Sequence, residues 1–443
     1  MGRNYFHDRC QRVVIQGQAS TWGSIEAGVP QGSVLGPLMF LIYVNDIVDI
    51  VKSEIRLFAD DTTLYIQVDN PAEGANTLTH DLSSMSDWAK QWLVSFNPAK
   101  TKSLLFTRKK RPVDHPDLMF QETNIENVEH HKHLGIIFSA DLSWSSHINS
   151  IAVKSRKLVG ILKSLQYKLN RRALESLYFS FILPCLEYAS VVWDGCTQSD
   201  RDLLESIQLA AARVVTGAMS RTSHSKIYEE TGWETLSERR RKQKLVLMFK
   251  IVNGFAPAYL CNLVPQTAGE RNAYNIRSRQ TITPPIARKN IHYNSFLPST
   301  IREWNLLSRS IKNSENVDDF KRKLSKGKQK RNELFYFGER KIAIIHARMR
   351  MGCSQLNSDL YKMGLIASPL CSCGHSAEDY FHYFFQCSKY PIQRDKLQTE
   401  IASLAPFNLK TLLYGISGGN KNANYDIFRS VHCYIKSTER FKD

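Results

Sequence analysis

An acidic pair interrupts a strand-like stretch in the first third of the chain, and this feature most constrains the local fold. The run "RLFADDTTLY" extends from Arg56 to Tyr65, with apolar and β-branched residues on both sides of Asp60 and Asp61. Apolar and β-branched residues favour strands, and Asp is favoured in tight turns. The sequence therefore predicts a β-hairpin that carries both carboxylates at its tip.

Two adjacent carboxylates allow two interpretations. The simpler one is structural, because an Asp side chain bonds nearby backbone and tolerates unusual dihedral angles in a turn. The other is a metal site, because Mg²⁺ binds one or two carboxylates together with water and phosphate oxygens. A pair of such ions, as used in phosphoryl transfer, usually takes more than two carboxylates. Asp60 and Asp61 alone leave such a centre incomplete.

A glycine-rich loop precedes the acidic pair. The loop lies in "AGVPQGSVLGPLMFLIYVNDI", Ala27 to Ile47, and glycines let backbone approach a substrate closely. The apolar run that follows, Val34 to Val44, is too short to span a bilayer and predicts a buried helix that begins near Pro37. The loop residues singled out as candidate contacts to substrate are Gly28, Pro30, Gln31, Gly32 and Ser33.

The balance of charge points to a polyanionic partner. The 443 residues carry a formal net charge of +17, while the hydrophobic and charged fractions, 42% and 23%, are ordinary for a globular protein. Lys and Arg bind nucleic acid by neutralising phosphates and releasing counterions. The alternative explanation is that the charge only keeps the protein soluble. Binding to nucleic acid is the favoured explanation.

Helical patterns dominate after about residue 146. In "SDRDLLESIQLAAARVVTG" apolar residues recur at helical spacing, Ser199 or Asp200 can cap the start, and Gly217 can close the end. An earlier helix is predicted in "THDLSSMSDWAKQWLVSF", and its apolar face is Leu82, Met85, Trp88 and Trp92.

Three of the nine cysteines cluster near the C-terminus. The stretch "CSCGHSAEDYFHYFFQC" contains Cys371, Cys373, His382 and Cys387, a set of ligands that suits tetrahedral Zn²⁺. His375 is a possible competitor for His382. Reduced thiols beside an unrelated histidine are the alternative interpretation, and zinc is favoured. The other six cysteines lack disulfide spacing and indicate a reducing compartment.

Four stretches in order resemble motifs of the reverse transcriptases of non-LTR (LINE-type, jockey-like) retrotransposons. They are "GVPQGSVLGP", "FADD", "NPAKTKSLLF" and "HLGIIFSADLSW". The last stretch also predicts a short strand pair, and the resemblance implies that Leu134 and Gly135 lie at its centre. The resemblance implies an α+β fold: a polymerase palm of antiparallel sheet and helices, a helical thumb, and a small zinc-binding C-terminal segment. The implied domains are palm (1–145), thumb (146–254), connector (255–335) and C-terminal region (336–443).

The resemblance also assigns roles to residues. Asp60 and Asp61 would be catalytic and bind Mg²⁺ or Mn²⁺, and Lys100 or Lys102 would lie near the incoming nucleotide. The glycine loop would contact nucleotide or template, and Leu134 and Gly135 would seat the primer end. The implied partners are an RNA template, a DNA primer and deoxynucleotides, and the implied zinc at the cysteine cluster is structural.

One expected acid is missing from the matched pattern. The family places a third Asp on a strand before the glycine loop, whereas upstream of Ala27 this chain offers only Asp8 and Glu26, which do not fit. The expectation is a truncated polymerase that is inactive alone. A catalytically dead RNA- or DNA-binding module and a decayed remnant are the alternatives. The expected location is nuclear or cytoplasmic, without secretion or a membrane.

Overall fold

Short sheets and helices make up the first part of the chain, and helices dominate the rest. The computed structural model describes residues 8–29, 32–109, 115–271, 281–325 and 332–442. The chain divides into two compact units, residues 1–142 and 143–443. The mixed helix and small-sheet architecture agrees with the α+β class. None of the described helices is long and apolar enough to cross a membrane.

The strands of the first unit form small sheets. Four are antiparallel pairs, β1 with β4, β2 with β3, β5 with β6 and β10 with β11, and the fifth has the order β7-β9-β8 with β7 parallel to β9. The strands are β1 (Cys10–Gln11), β2 (Val14–Ile15), β3 (Gln18–Ala19), β4 (Gly23–Ser24), β5 (Glu54–Phe58), β6 (Asp61–Tyr65), β7 (Lys102–Ser103), β8 (Leu118–Phe120), β9 (Thr123–Asn127), β10 (His130–His133) and β11 (Ile136–Ser139).

Two α-helices accompany these strands, α1 (Leu35–Val44) and α2 (Pro71–Gln91). Helix α2 begins where the Asn70 side chain accepts a hydrogen bond from the backbone of Ala72. Its predicted apolar face is buried at Leu82, Met85 and Trp88. Trp92 differs from the prediction, because it lies beyond the last turn and is 37% exposed. Short 3₁₀ turns at Asn45–Ile50 and Pro98–Lys100 complete the unit.

The apolar helix α1 is exposed, and this corrects the prediction of a buried helix. Leu38, Leu41 and Ile42 are 50%, 58% and 64% exposed, and Gly36 is the buried residue of the helix. Within the described residues of this unit, no element covers its outer face. The start at Leu35 agrees with a helix that begins near Pro37.

Helix α2 holds the beginning of the acidic hairpin in place. Asp81, which is fully buried, accepts hydrogen bonds from the backbone N–H groups of Lys52 (3.0 Å) and Ser53 (2.8 Å). These residues directly precede β5. Because a buried carboxylate needs such partners, this contact connects helix packing to the position of the hairpin.

Helices are the main regular structure of the second unit's described residues, which also contain two isolated β-bridges. A π-helical turn at Tyr178–Ile182 lies between α4 and α5, a second at His382–Gln386 lies between α17 and α18, and a 3₁₀ turn at Glu333–Tyr336 precedes α16. The helices are α3 (Ser145–Ser164), α4 (Arg171–Leu177), α5 (Leu183–Glu187), α6 (Ser190–Trp193), α7 (Gln198–Thr216), α8 (His224–Thr231), α9 (Leu236–Val252), α10 (Ala258–Cys261), α11 (Ala268–Arg271), α12 (Asn290–Tyr293), α13 (Phe296–Asn305), α14 (Arg309–Lys312), α15 (Val317–Leu324), α16 (Arg340–Met351), α17 (Asn357–Lys362), α18 (Pro391–Ala402), α19 (Leu409–Tyr414) and α20 (Lys421–Ser437).

The ends of α7 show how local sequence sets a helix. Thr197, rather than Ser199 or Asp200, is the N-cap, and it forms a reciprocal capping box with Asp200. Gly217 closes the helix at φ +75°, as its position predicts. A Cβ at Gly217 would lie 2.5 Å from Cγ2 of Ile344, so glycine is also needed for close packing against α16.

Three apolar clusters form the interior of this unit. The largest joins α3 to α8 and also includes Ala347 and Met351 of α16. The second surrounds Phe384 and Phe428 in the C-terminal region. The third packs α9 against α13 and α15. Helix α16 therefore belongs to the same interior as the preceding helices. The finer division at residues 254 and 335 stays a prediction.

Candidate acidic hairpin and metal centre

The acidic pair lies at the tip of a hairpin, as the sequence predicts. Strand β5 ends at Phe58, which pairs with Asp61 at the start of β6. Ala59 adopts φ +50° in the connection, and Asp60 occupies the turn beside it. Both carboxylate residues are exposed. Adjacent strand residues face opposite ways, but at this turn both side chains are free to reach outward.

Strand β10 lies close to β6 and brings two histidines to the hairpin. Nε2 of His133 lies 3.4 Å from Oγ1 of Thr63. The pKa of His131 is lowered by burial first and then by the charge of His133, while the carboxylate of Asp61 opposes both. These histidines were not identified from the sequence. Their alternate spacing in "HHKH" was the available signal, because such residues share one face of a strand.

The two candidate lysines occupy different surroundings. Lys102, on β7, donates a hydrogen bond to Glu126 on β9 at 2.5 Å, and its charge contributes to the lowered pKa of His131. Lys100 ends the 3₁₀ turn that Asn97 caps. The structure thus places Lys102, rather than Lys100, in the electrostatic neighbourhood shared by His131 and Asp61.

The glycine loop needs left-handed backbone at two positions. Gly28 and Gly32 adopt φ +82° and +81°. The guanidinium of Arg9 donates to the Gly28 carbonyl at 2.5 Å, and the Ser33 hydroxyl accepts from the Gly36 N–H at 3.0 Å, where α1 begins. Pro30 and Gln31 lie outside the described residues.

Leu134 and Gly135 form the two-residue turn between β10 and β11, both with positive φ. Two-residue turns with positive φ at both positions match the twist of antiparallel strands, and glycine favours them. The pair therefore lies at the exposed end of the β10–β11 hairpin. The strand pair itself was predicted from "HLGIIFSADLSW".

The hairpin lacks a third ligand among the residues described. Within residues 8–29, 32–109, 115–271, 281–325 and 332–442, the one group of three or more His, Cys, Asp or Glu side chains placed to hold a metal ion is the cysteine cluster. Asp60 and Asp61 suit a single hydrated divalent cation. A two-ion centre needs another carboxylate.

The four predicted zinc ligands come together. The ligand atoms of Cys371, Cys373, His382 and Cys387 all lie within 4.8 Å of one another. Sγ of Cys371 is 3.8 Å from Sγ of Cys387, and Sγ of Cys373 is 3.2 Å from Nε2 of His382. Two sulfurs on a tetrahedral zinc, each about 2.3 Å from the metal, lie about 3.8 Å apart. The donor set and spacing fit Zn²⁺.

Local structure brings these ligands together. Cys371 and Cys373 flank a turn in which the Gly374 N–H donates to the Cys371 carbonyl, with Gly374 at φ +85°. His382 begins the π-helical turn, and Cys387 directly follows that turn. His375, the possible competitor, is exposed, and its Nδ1 lies 2.9 Å from the carbonyl oxygen of Cys373.

Neighbouring side chains orient the cluster. Nδ1 of His382 lies 2.7 Å from the Ser376 hydroxyl, which leaves Nε2 facing Cys373. Oε1 of Glu378 lies 3.9 Å from Sγ of Cys371. Glu378, only 2% exposed, accepts two hydrogen bonds from Arg440, at 2.7 and 2.6 Å. Such partners of metal ligands set ring orientation and ligand basicity. Ser376, Glu378 and Arg440 were not identified from the sequence.

The thiols have contrasting acidities. A hydrogen bond from the backbone of His375 lowers the pKa of Cys373 to about 6. Burial, opposed by a hydrogen bond from the backbone of Cys373 and reinforced by the side chains of Cys373 and Cys387, raises the pKa of Cys371 to about 12. Thiolates that crowd together repel unless a cation is shared, and zinc binds the thiolate form.

Residues 3–138 match the family model described as "Reverse transcriptase (RNA-dependent DNA polymerase)". The chain is 28% identical to a probable RNA-directed DNA polymerase from transposon X-element of Drosophila melanogaster, covering 48% of this chain and 24% of that protein. It is 27% identical to the RNA-directed DNA polymerase from mobile element jockey of the same species, covering 49% of this chain and 25% of that protein.

A longer match extends through most of the chain. The Pol polyprotein from type-1 retrotransposable element R1 of Bradysia coprophila is 24% identical over 84% of this chain and 35% of its own length. The chain thus spans about a quarter to a third of the length of these three relatives. Residues 3–138 thus match the reverse transcriptase family model, and the chain is similar to the polymerases of the non-LTR retrotransposons jockey, X-element and R1.

Proposed function

We propose that this chain contributes two catalytic carboxylates and the template- and primer-binding surfaces of an RNA-directed DNA polymerase. The supporting observation is the location of Asp60 and Asp61 at the tip of the β5–β6 hairpin, inside the segment that matches reverse transcriptases. The substrates would be an RNA template, a DNA primer and deoxynucleotides. The compartment would be the nucleus or the cytoplasm.

In this proposal the hairpin carboxylates hold Mg²⁺ or Mn²⁺ beside the primer end. A divalent ion at such a site neutralises charge that develops on phosphate oxygens. Lys102, with Lys100 as the alternative, supplies a cation for the incoming triphosphate. The loop from Gly28 to Ser33, including Pro30 and Gln31, contacts nucleotide or template. Leu134 and Gly135 seat the primer end.

The same proposal limits what the chain does alone. Positioning and charge neutralisation account for nearly all of the catalysis in phosphoryl transfer. Asp60 and Asp61 lack a third carboxylate among the described residues, so the two-ion arrangement is incomplete. We therefore expect the isolated chain to bind nucleic acid without extending a primer at a measurable rate.

Primer extension on an RNA template tests this proposal, in Mg²⁺ and separately in Mn²⁺. The purified chain is compared with the double variant Asp60→Ala, Asp61→Ala. Incorporation by the chain that the variant loses would show that the two acids suffice and would overturn the predicted dependence on a third. Restoration of activity by an added polypeptide that carries the third carboxylate would support it.

The cysteine cluster is proposed as a structural zinc site. Four protein ligands close the coordination shell, and such sites stabilise folds rather than catalyse reactions. Its geometry supports zinc, and nearby Lys389, Arg394 and Lys396 are candidate phosphate contacts. In this reading residues 1–145 act as palm, 146–254 as thumb, 255–335 as connector and 336–443 as the zinc-binding region.

A noncatalytic nucleic-acid-binding module is the second candidate. The observation that favours it is a cationic face on α3, where Lys154, Arg156, Lys157 and Lys163 are exposed. No acidic residue occurs between Asp141 and Glu175 in the sequence, so this face lacks local neutralisation. Salt-sensitive RNA binding without any primer extension, even after the third carboxylate is supplied, would favour this candidate. Neither binding nor extension would favour a decayed remnant.

A further inference from the structure

A groove runs along the outer side of α9, in the second unit. It has a volume of about 360 Å³ and opens to solvent along one side. Most of its lining comes from one face of α9, and Lys321 of α15 and Glu234 complete it. The α9 residues are Arg239, Lys242, Gln243, Val246, Leu247 and Lys250, at the spacing of successive helical turns.

Two other cations of α9, Arg240 and Lys244, form buried ion pairs away from the groove. Arg240 donates to Asp194 at 2.9 Å, and Lys244 contacts Asp194 at 2.8 Å and Glu303 at 3.0 Å. Arg240 and Lys244 are 1% and 4% exposed. Buried cations require such acidic partners, so these two are explained by packing. The cations of the groove are only partly buried or exposed, so they remain accessible to solvent.

The groove cations retain hydrogen-bond donors. Lys242 contacts Glu234 at 2.5 Å, which leaves two of its three ammonium hydrogens. Arg239 uses Nε and Nη2 on Glu187, and Nη1 is left. Among the described residues, the Lys250 ammonium has no carboxylate within ion-pair distance. Lys321 contacts Asp318 at 3.4 Å and likewise keeps two ammonium hydrogens. Acidic partners therefore hold three of the four groove cations in place without using all their donors.

The groove also has an apolar part beside the polar side chains of Gln243 and Glu234. Val246 and Leu247 lie between Lys242 and Lys250, and both are half-buried. Val246 also packs against the core that contains Phe249 and Phe320, so this surface has firm support. Cations at both ends of an apolar surface match the alternation of phosphates with sugars and bases along a nucleic-acid strand. A simple anion would need no such surface.

We propose that this groove binds phosphates of a single nucleic-acid strand, at a site separate from the acidic hairpin. Lys250 and Lys321 contact successive phosphates, while Val246 and Leu247 contact sugar or base. Proteins that bind single strands combine cationic grooves with apolar contacts of this kind. The inference rests on α9 and α15 alone and does not require polymerase activity.

Binding of fluorescently labelled single-stranded RNA to the full chain, measured by anisotropy, tests the groove. The variant Lys250→Glu, Lys321→Glu is compared with Lys410→Glu, Lys442→Glu, which makes the same charge change at two exposed lysines outside the groove. We expect the groove variant to raise Kd at least about tenfold, and the control less than about threefold. The salt dependence of binding should also weaken, by about 0.7 in slope for each lost phosphate contact.

Four outcomes would overturn the inference. An equal loss of RNA affinity in both variants would mean that net charge alone drives binding. An unchanged Kd in the groove variant would mean that the strand binds elsewhere. Inorganic phosphate that competes as well as the oligonucleotide, or duplex RNA with the same groove dependence, would exclude a single-strand site. Thermal melting of each variant verifies that it is folded.

The test is independent of the proposed polymerase. The Asp60→Ala, Asp61→Ala variant should keep groove-dependent binding, because the hairpin lies outside the groove. If an added polypeptide that carries the third carboxylate fails to restore primer extension while groove binding is intact, the polymerase proposal alone is contradicted. If that addition restores primer extension while the groove variant binds RNA normally, the groove proposal alone is contradicted.

Discussion

Arg350 donates two hydrogen bonds to the carboxylate of Glu230, from Nε at 2.9 Å and from Nη2 at 2.7 Å, and both side chains are 3% exposed. Arg171 binds the same carboxylate at 2.6 Å. Burial alone would raise the pKa of Glu230, but the two guanidinium groups outweigh it and hold that pKa below its ordinary value. This network joins α16 to α4 and α8.

Removing Arg350 should therefore destabilise the second unit strongly. In Arg350→Met the buried carboxylate keeps Arg171 but loses two charged hydrogen bonds, and breaking such a pair costs about 3–5 kcal/mol. Lys421→Met disrupts the exposed ion pair with Glu333 and should cost less than about 1 kcal/mol. Urea unfolding measures the stability of each variant. Similar losses of unfolding free energy in the two variants would contradict the assigned role of the buried network.

Zinc content provides the next prediction. The purified chain should carry about one zinc per molecule by elemental analysis, since a Cys₃His set closes one tetrahedral site. Cys387→Ser should lose that metal and lower the melting temperature, because metal binding contributes folding free energy. Cys433→Ser, at an exposed thiol outside the cluster, should retain the metal and the wild-type melting temperature. A metal-free chain with the melting temperature of the Cys387 variant would refute a structural zinc.

Two glycines should respond in opposite directions to alanine. Gly217→Ala introduces a Cβ at φ +75° and 2.5 Å from Ile344, so a loss of about 2–4 kcal/mol is expected from strain and overpacking. Gly160→Ala lies within α3, where a Cβ meets nothing within 4 Å, and should gain about 0.5–1 kcal/mol. Denaturant unfolding reports each change. A neutral Gly217→Ala would mean that α16 shifts freely.

A buried histidine pair predicts how stability depends on pH. Nδ1 of His346 lies 3.2 Å from Nε2 of His432, while Nε2 of His346 lies 3.0 Å from the Leu412 carbonyl oxygen, so this network holds both rings neutral. Burial and the charge of Arg350 lower the pKa of His432 to about 4, and they lower that of His346 as well, together with the neighbouring His432. Because the unfolded chain binds these protons more readily, stability is complete above about pH 6.5 and falls as the pH decreases towards 4.

The slope of that loss can be measured. Each histidine contributes up to about 1.4 kcal/mol per pH unit within this window. His432→Gln should flatten the dependence of the free energy of unfolding on pH, and His224→Gln, at an exposed position on α8, should leave it unchanged. Equal slopes in wild type and His432→Gln would show that other groups govern acid unfolding.

Several features followed from short sequence patterns. The hairpin at Asp60 and Asp61, the Leu134-Gly135 turn, the end of α7 at Gly217 and the cysteine cluster were all recognisable from neighbouring residues. Turn chemistry, capping and metal-ligand spacing act over a few residues, so one stretch of chain contains most of the information needed. Where the prediction erred locally, as with Thr197 at the start of α7, it missed by two or three positions.

Other features depend on residues far apart in the chain. The approach of His131 to Asp61, the binding of Glu230 by Arg350, and the contact of Arg440 with Glu378 join segments that no periodicity relates. The exposure of α1 is likewise a matter of which elements pack over it, and its uniformly apolar sequence predicted the opposite. Sequence by itself determined the local elements and the chemistry of the ligands. Only tertiary structure decided which side chains meet, because burial and long-range charge pairing depend on the packing of the whole unit.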